Sequence, residues 1–296
     1  MKSFSTNSKS DNNLQIIKIC KKAFKLTSKL DVEEHHRTER LSFAKKYLPL
    51  FKKHSGTYAA GDVTYKQLPT TRLLRKAYYN SQLRFVYRRP AQNCEPTSSK
   101  PGKNLKIGNM KRSITFGIVY NGKVFEHSVV RKKGTTWTGP LCQQMVPVLR
   151  RKIDHAFPEM KEKTILLLLD NDPCMKTKDS QQAFADSFFD VVWGPAKSPD
   201  LNCLDYFVWN AAKYAYLDLI KTKVGDNDDP DALPFVLSPE ELLEMLSTSL
   251  KNIDEDDLKN AMKGIVGRLQ KVIYEKGERF EGKTYTKAQQ RVMDNY

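Results

Sequence analysis

The stretch Ile165-Leu166-Leu167-Leu168-Leu169-Asp170-Asn171-Asp172-Pro173 decides the predicted fold. Five consecutive apolar residues that end abruptly in turn-forming residues predict a fully buried central strand. A carboxylate directly after such a strand lies at the edge of a sheet, where a ligand can reach it. Asp170 is therefore the first candidate site residue.

The chain that follows Asp170 predicts one short helix and one short strand before a second notable carboxylate. The helix is expected to begin at Asp179, and the strand covers 191–193. The turn-rich segment 194–202 then leads into a helix that carries Asp205 in its first turn. There are 34 residues between Asp170 and Asp205, so one strand-helix-strand excursion can bring the two carboxylates back together.

A third carboxylate, Asp62, interrupts the strand-like segment 57–68. An acid within a strand is often simply exposed at a sheet edge. The interval from Leu41 to Phe125 is strongly basic, however, and its only acids are Asp62 and Glu95. Against this background Asp62 is a further candidate site residue.

Charge is unevenly distributed along the 296 residues, whose formal net charge is +16. Residues 1–115 hold 25 Lys and Arg but only 7 Asp and Glu, a net charge of +18, and the remainder is close to neutral. Such a basic half is typical of a polyanion-binding protein, and nucleic acid is the default polyanion. A solubilising surface is the alternative interpretation.

The irregular segment 69–112 is rich in Pro, Gly, basic and aromatic residues, and such a loop can lie along a phosphate backbone. The candidate DNA-binding residues are Arg84, Arg88, Arg89, Lys100, Lys103, Lys106, Lys111 and Arg112.

Cysteine usage and hydropathy exclude several classes of protein. The five cysteines are scattered without a CxxC pair, which argues against a zinc ribbon or a disulfide scaffold. His35 and His36 are interpreted as surface residues, because neighbours on a helix project in different directions. No apolar run approaches the ~18–20 residues of a membrane span, so no membrane association is expected.

The order of predicted elements indicates an α/β fold with a mixed sheet flanked by helices. Strands at 113–120 and 123–130 are joined by Asn121-Gly122, a strong hairpin signal. A long basic loop is inserted after the first strand, and helices follow at 139–157 and in the C-terminal part. We divide the chain into a basic helical segment, 1–55, interpreted as a remnant or end of a DNA-binding region, and a catalytic domain, 56–296.

Three convergent aspartates on a basic protein indicate a two-metal phosphodiester site. Two Mg²⁺ ions about 3.5–4 Å apart can activate a water or a 3′-hydroxyl and stabilise the leaving oxygen. Mg²⁺ needs few protein carboxylates, since waters and phosphate oxygens complete its shell. From spacing alone, unrelated surface acids remain an alternative.

Several motifs carry a resemblance to a known family. Leu169-Asp170-Asn171-Asp172-Pro173, followed by Ser198-Pro199-Asp200-Leu201-Asn202-Cys203-Leu204-Asp205, closely resembles the paired motifs of the mariner superfamily of cut-and-paste DNA transposases. Arg40 to Lys46 is similar to that family's linker helix, and Val86-Tyr87-Arg88-Arg89-Pro90 is similar to its VWRRP motif. The resemblance covers roughly 37–280.

This resemblance implies an RNase H-like fold in which Asp62, Asp170 and Asp205 hold two Mg²⁺ or Mn²⁺ ions. It implies nicking of double-stranded DNA at transposon inverted-repeat ends and strand transfer into TA targets. It also implies a homodimer and, for a eukaryotic source, a nuclear location. Asp172 and Asp200 fall in the same motifs, but by likeness they shape turns and do not bind metal.

Three positions depart from the family pattern: Val63 replaces a usual Glu, Met175 a frequent His and Cys203 a frequent Pro. These departures leave open a catalytically inactive, domesticated DNA-binding protein derived from a transposase. A third possibility is a generic RNase H-like nuclease, which would cut RNA–DNA hybrids and form no strand-transfer product.

Overall fold

A computed structural model describes residues 32–68, 111–132, 136–224 and 237–296. The strands are β1 (Ala59–Leu68), β2 (Lys111–Tyr120), β3 (Lys123–Lys132), β4 (Ile165–Leu169) and β5 (Phe189–Trp193). The helices are α1 (Glu34–Lys53), α2 (Gly139–Ala156), α3 (Lys178–Asp186), α4 (Trp209–Val224), α5 (Pro239–Lys251), α6 (Glu255–Lys263), α7 (Ile265–Tyr274) and α8 (Lys287–Asp294). Short 3₁₀ turns cover Pro158–Met160 and Pro199–Leu201, and a π-helical turn covers Leu204–Val208.

The described strands form one mixed sheet in the order β3-β2-β1-β4-β5. β1, β2 and β3 are antiparallel neighbours, whereas β4 runs parallel to both β1 and β5. The hairpin between β2 and β3 turns at Asn121 and Gly122, which have φ values of 45° and 74°. Both φ values are positive, as a type I′ turn requires, so the predicted hairpin is present.

Helices cover both faces of this sheet. The first apolar cluster joins α2 and α3 to residues such as Phe116 and Leu167 on one face. The second, larger cluster lies on the other face, where the helices α1, α4, α5, α6 and α7 pack against residues such as Ala60 and Leu168. Because side chains alternate along a strand, consecutive residues of β4 supply the two clusters in turn, which explains why an uninterrupted run of leucines is needed there.

Helix α3 begins earlier than the sequence pattern suggested. Its N-cap is Thr177, whose hydroxyl accepts a hydrogen bond from the Ser180 amide at 3.3 Å, and Asp179 lies within the first turn. The helix ends at Asp186, and Phe188 adopts a left-handed φ of 56° with an exposed side chain. The prediction that Asp179 caps this helix was therefore wrong.

Helix α1 packs against α7 through a face that includes His36, Arg40, Phe43 and Phe51. These positions recur at helical spacing, so His36 falls on the same buried side as Arg40. The interpretation of His36 as a surface residue is wrong, since only 7% of its surface is exposed. The domain boundary at 55/56 stays a prediction.

Several sequence predictions lie outside the described residues. They include the N-terminal basic segment up to residue 31 and, among the candidate DNA-binding residues, Arg84, Arg88, Arg89, Lys100, Lys103 and Lys106. Within the described ranges, no helix combines the length and the apolar character needed to cross a membrane.

Candidate functional site

The strand register places Asp62 beside Asp170. β1 and β4 pair in parallel, with Ala59 opposite Leu167 and Ala60 opposite Leu168. Two residues further along each strand, beyond the last pair, Asp62 is level with Asp170. Asp62 lies on the same face of β1 as Ala60 because side chains alternate along a strand. This is the face that α4 covers.

The segment between β5 and α4 brings Asp205 to the same place. The Gly194 amide donates to the Leu169 carbonyl at 2.7 Å, which attaches the start of this segment to β4. Further along, the Asn202 side-chain amide donates to the Gly61 carbonyl at 2.9 Å and its Oδ1 accepts from the Leu204 amide at 3.1 Å. Asn202 is thus bonded both to Gly61, which precedes Asp62, and to Leu204, which precedes Asp205. These two bonds hold the helix start with Asp205 next to Asp62.

The three carboxylates affect one another's protonation. Burial raises the pKa of Asp62 well above its ordinary value, and the charges on Asp205 and Asp170 raise it further. Desolvation, followed by the charge on Asp170, raises the pKa of Asp205 to about 6. Desolvation also raises the pKa of Asp170 to about 6, with a further contribution from Asp172. The charges on Asp205 and Asp170 therefore act on Asp62, and the charge on Asp170 acts on Asp205, as expected for carboxylates at one edge of the sheet.

Asp62 has a specific polar partner that sequence reasoning missed. Its side chain is buried, and the indole Nε1 of Trp209 donates to its Oδ2 at 2.6 Å. This hydrogen bond favours the charged carboxylate and so opposes the effect of burial on the pKa of Asp62. The available signal was the spacing of Asp205 and Trp209, which are four residues apart and so share one side of a helix.

A cleft of about 380 Å³ opens beside the carboxylates. Asp170 and Asp205 line it, together with Lys197 and Asn202, whereas the buried Asp62 is not among its lining residues. Lys197 is exposed, and its ammonium lies 3.3 Å from Glu33. The lining of the cleft thus combines carboxylates with a basic group, which suits a phosphate-containing substrate held near divalent cations.

The donor set of the three aspartates fits divalent metal ions. A bound cation would offset the repulsion among these three carboxylates and favour their charged forms. Asp170 Oδ1 is buried and has no hydrogen-bond partner among the described residues, so it is available as a ligand atom. The ligand oxygens of Asp62, Asp170 and Asp205 are not all within 4.8 Å of one another.

Glu33, His35 and His36 form another candidate metal-binding group in the described residues, because their ligand atoms all lie within 4.8 Å of one another. The rings of the two histidines lie 3.7 Å apart. Glu33 is already engaged by Lys197, and both Glu33 and His35 are exposed. The cation beside Glu33 disfavours a metal ion there, so we assign this group no ligand.

Asp172 and Asp200 have structural partners. Asp172 Oδ1 accepts from the Cys174 amide at 2.7 Å, which shapes the turn after β4. Asp200 does more than shape a turn: its carboxylate accepts two 2.7 Å bonds from the Arg40 guanidinium, and both side chains are fully buried. This ion pair attaches α1 to the segment that carries Asp205.

Two of the candidate DNA-binding residues lie in the described part of the chain, at the start of β2. Lys111 is exposed and pairs in register with Leu68. The guanidinium of Arg112 lies 4.7 Å above the ring of Tyr65, where it makes a cation–π contact. Both residues adjoin the basic segment 69–110, and their assignment to DNA binding stays a prediction.

The chain matches no protein-family model and no curated protein. Among solved structures, it is similar to the Mos1 transposase catalytic domain with raltegravir and Mg, with 16% identity and a TM-score of 0.58 over 85% of this chain and 100% of the other. It is also similar to a pre-cleavage Mos1 transpososome, with 15% identity and a TM-score of 0.61 over 95% of this chain and 83% of the other. The mariner Mos1 paired-end complex with Mg gives 16% identity and a TM-score of 0.59 over the same shares.

These comparisons define the class of fold. The chain has an α/β, RNase H-like fold, with a mixed five-stranded sheet flanked by helices. More particularly, it has the fold of the mariner-type transposase catalytic domain. The fold class predicted from the sequence is thereby confirmed.

The raised pKa values predict how stability depends on pH. Asp205 has a pKa of about 6 in the folded protein against an ordinary value of 3.8. Between these values the folded state binds more protons at Asp205 than the unfolded state, so the contribution of this carboxylate to stability falls as the pH rises from about 4 to above 6. In EDTA, Asp205→Asn should therefore raise the melting temperature at pH 8 and have much less effect at pH 4.5.

Asp218→Asn is the matched control, because Asp218 is, like Asp205, exposed and lies in α4, which directly follows the π-helical turn of Asp205. Thermal unfolding of both variants at the two pH values measures the difference. An Asp205→Asn effect that is equal at pH 4.5 and pH 8 would contradict the electrostatic description of the site.

Proposed function

We propose that this chain is the catalytic part of a cut-and-paste DNA transposase that hydrolyses phosphodiester bonds at transposon ends and transfers the resulting strand into target DNA. The observation that carries this proposal is the convergence of Asp62, Asp170 and Asp205 on one sheet edge of a mariner-type fold. The similar Mos1 structures include a pre-cleavage transpososome, a paired-end complex and a strand transfer complex.

The same three aspartates are the proposed ligands of two Mg²⁺ or Mn²⁺ ions. Similar Mos1 catalytic-domain structures contain Mg or Mn. When bound, such ions would stabilise charge on the scissile phosphate and activate a water or 3′-hydroxyl. The chain's own contribution is to hold the three carboxylates at fixed positions: Asp62 on β1, Asp170 after β4, and Asp205 through the bonds made by Asn202.

Double-stranded DNA is the proposed partner, with inverted-repeat ends as the cleaved DNA and TA dinucleotides as the target. The excess of Lys and Arg in the first 115 residues supports a phosphate-binding role. We further propose that the chain acts as a homodimer, because two ends must be handled together in cut-and-paste transposition, and that it acts in the nucleus of a eukaryotic host.

The test is a cleavage assay on a labelled duplex that carries the inverted repeat bordering the gene. With Mg²⁺ or Mn²⁺ we expect a nick at the repeat end and, when a plasmid is added, a joined product. A scrambled duplex should give neither. Salt-sensitive binding without a nick would instead support the inactive, domesticated DNA-binding protein, and cleavage of an RNA–DNA hybrid without joining would support a generic nuclease.

A further inference from the structure

The hydrogen bond between Trp209 and Asp62 is isolated from solvent at both ends. Each residue is only 8% exposed, and the donor-to-acceptor distance is 2.6 Å. A buried carboxylate oxygen that loses its donor is left without solvation, so the orientation of the Asp62 carboxylate depends on this contact. Trp209 and the backbone of Val63 use only part of the capacity of the Asp62 carboxylate, which can accept about four hydrogen bonds, so oxygen lone pairs remain for a cation.

The position opposite Asp62 leaves space for the indole. Gly117 is the direct partner of Asp62 in the antiparallel register of β1 and β2. A Cβ atom at Gly117 would lie 2.6 Å from Cη2 of Trp209 and 3.2 Å from Cδ2 of Leu204. The first distance is shorter than any normal contact, so a side chain at this position must displace the indole. All other residues of β2 carry side chains, and Gly117 lies where the indole of Trp209 packs against the strand.

The same helix start supplies Asp205 and Trp209. Asp205 lies in the π-helical turn Leu204–Val208, and Trp209 follows as the first residue of α4. Residues four apart on a helix share a face, and both of these act on Asp62: Asp205 through its charge and Trp209 through its N–H. A π-turn is frequently found at functional sites.

We propose that Trp209 is a positioning residue for the metal-binding site, which holds Asp62 in the orientation needed to share divalent cations with Asp170 and Asp205, and that Gly117 is the space this indole requires. This inference rests on the proposed function. Trp209 does not itself contact substrate; it acts through Asp62. Partners that orient metal ligands in this way typically change metal affinity or activity about 10- to 100-fold when they are lost.

The first test is Trp209→Phe, which keeps a buried ring and removes the N–H. We expect the affinity of the purified protein for Mn²⁺, measured by electron paramagnetic resonance without DNA, to fall about 10- to 100-fold.

Trp137→Phe is the matched control. Trp137 is also buried, packs against Phe116, and its Nε1 has no hydrogen-bond partner among the described residues. Removing this N–H should leave Mn²⁺ affinity unchanged. If Trp209→Phe binds Mn²⁺ within twofold of Trp137→Phe, the positioning role is overturned.

Gly117→Ala provides a second test, which taken alone does not require Trp209→Phe to fold. It retains both Asp62 and Trp209 and should still weaken Mn²⁺ binding, because the added Cβ displaces the indole. In the Trp209→Phe background the same change should have a much smaller effect, since a phenyl ring lacks the atom that the Cβ would meet; a double-mutant cycle measures this coupling. Additive effects overturn the pairing of the two residues.

The two proposals fail in different ways. A parent protein that binds Mn²⁺ in a Trp209-dependent manner but cuts no DNA supports the positioning role and contradicts the transposase activity. Equal DNA cleavage by the parent protein and by the Trp209→Phe variant supports the transposase activity and contradicts the positioning role.

Discussion

Replacing Asp170 by Asn is expected to reduce metal-dependent cleavage of the transposon-end duplex about 10³-fold or more. The amide has nearly the same shape but no charge, and metal-assisted stabilisation of a phosphodiester transition state contributes several kcal/mol. Because Asp170 Oδ1 is buried without a hydrogen-bond partner in the described chain, its proposed role is that of a ligand. Single-turnover cleavage with Mg²⁺, repeated with Mn²⁺, measures the loss.

The stability of the same variant should change in the opposite direction. The pKa of Asp170 is raised to about 6, so the folded protein at pH 8 carries a carboxylate that its surroundings disfavour. Without divalent ions, Asp170→Asn should melt at a higher temperature than the parent protein. Asp190→Asn, on an exposed position of β5, is the control and should change neither quantity. Full cleavage by Asp170→Asn would exclude the proposed metal site.

Removing the charge of Asp200 is expected to give the largest loss of stability. The Arg40–Asp200 pair is fully buried with two 2.7 Å bonds, and Arg40 also donates to Ser198 Oγ and to the Gly277 carbonyl. Breaking a buried ion pair by removing one partner costs about 3–5 kcal/mol, because the remaining charge is left unpaired. Asp200→Asn should lower the free energy of unfolding by about that amount, measured by denaturant titration.

The double variant Arg40→Met/Asp200→Asn should recover part of this loss, since no unpaired buried charge remains. Glu255→Gln, in the exposed ion pair between Glu255 and Lys259, is the comparison and should have no measurable effect. If Asp200→Asn is as stable as the parent protein, the buried pair does not hold α1 to the Asp205 segment.

Sequence reasoning located the fold because its strongest signals were local. The five-residue run of β4 and the Asn121-Gly122 turn each determine an element without reference to the rest of the chain. It also located Asp170 after a strand end, Asp205 at a helix start and Asp62 as an acid within a strand of a strongly basic interval, and the structure places Asp62 level with Asp170 and within reach of the charge on Asp205. Their catalytic role stays a prediction.

What sequence reasoning missed depends on contacts between distant segments. Trp209 reads as one more apolar residue of a helix, and Gly117 as an ordinary glycine of a strand. Their significance comes from the register of β1 with β2 and from the packing of α4 above it. Arg40 was part of a recognised motif, but its partner Asp200 lies 160 residues later in the chain. No local pattern predicts such a pairing.

The separation of Asp62 from Asp205 has a consequence for synthesis. A ribosome delivers the basic N-terminal half and β1 first, whereas the last aspartate and the helix start that orients it emerge more than a hundred residues later. A product released before Leu204 would carry the basic half without a complete acidic cluster. Under the proposed function such a fragment would lack one ligand of the metal-binding site, and only chains that extend past this helix start could cut DNA.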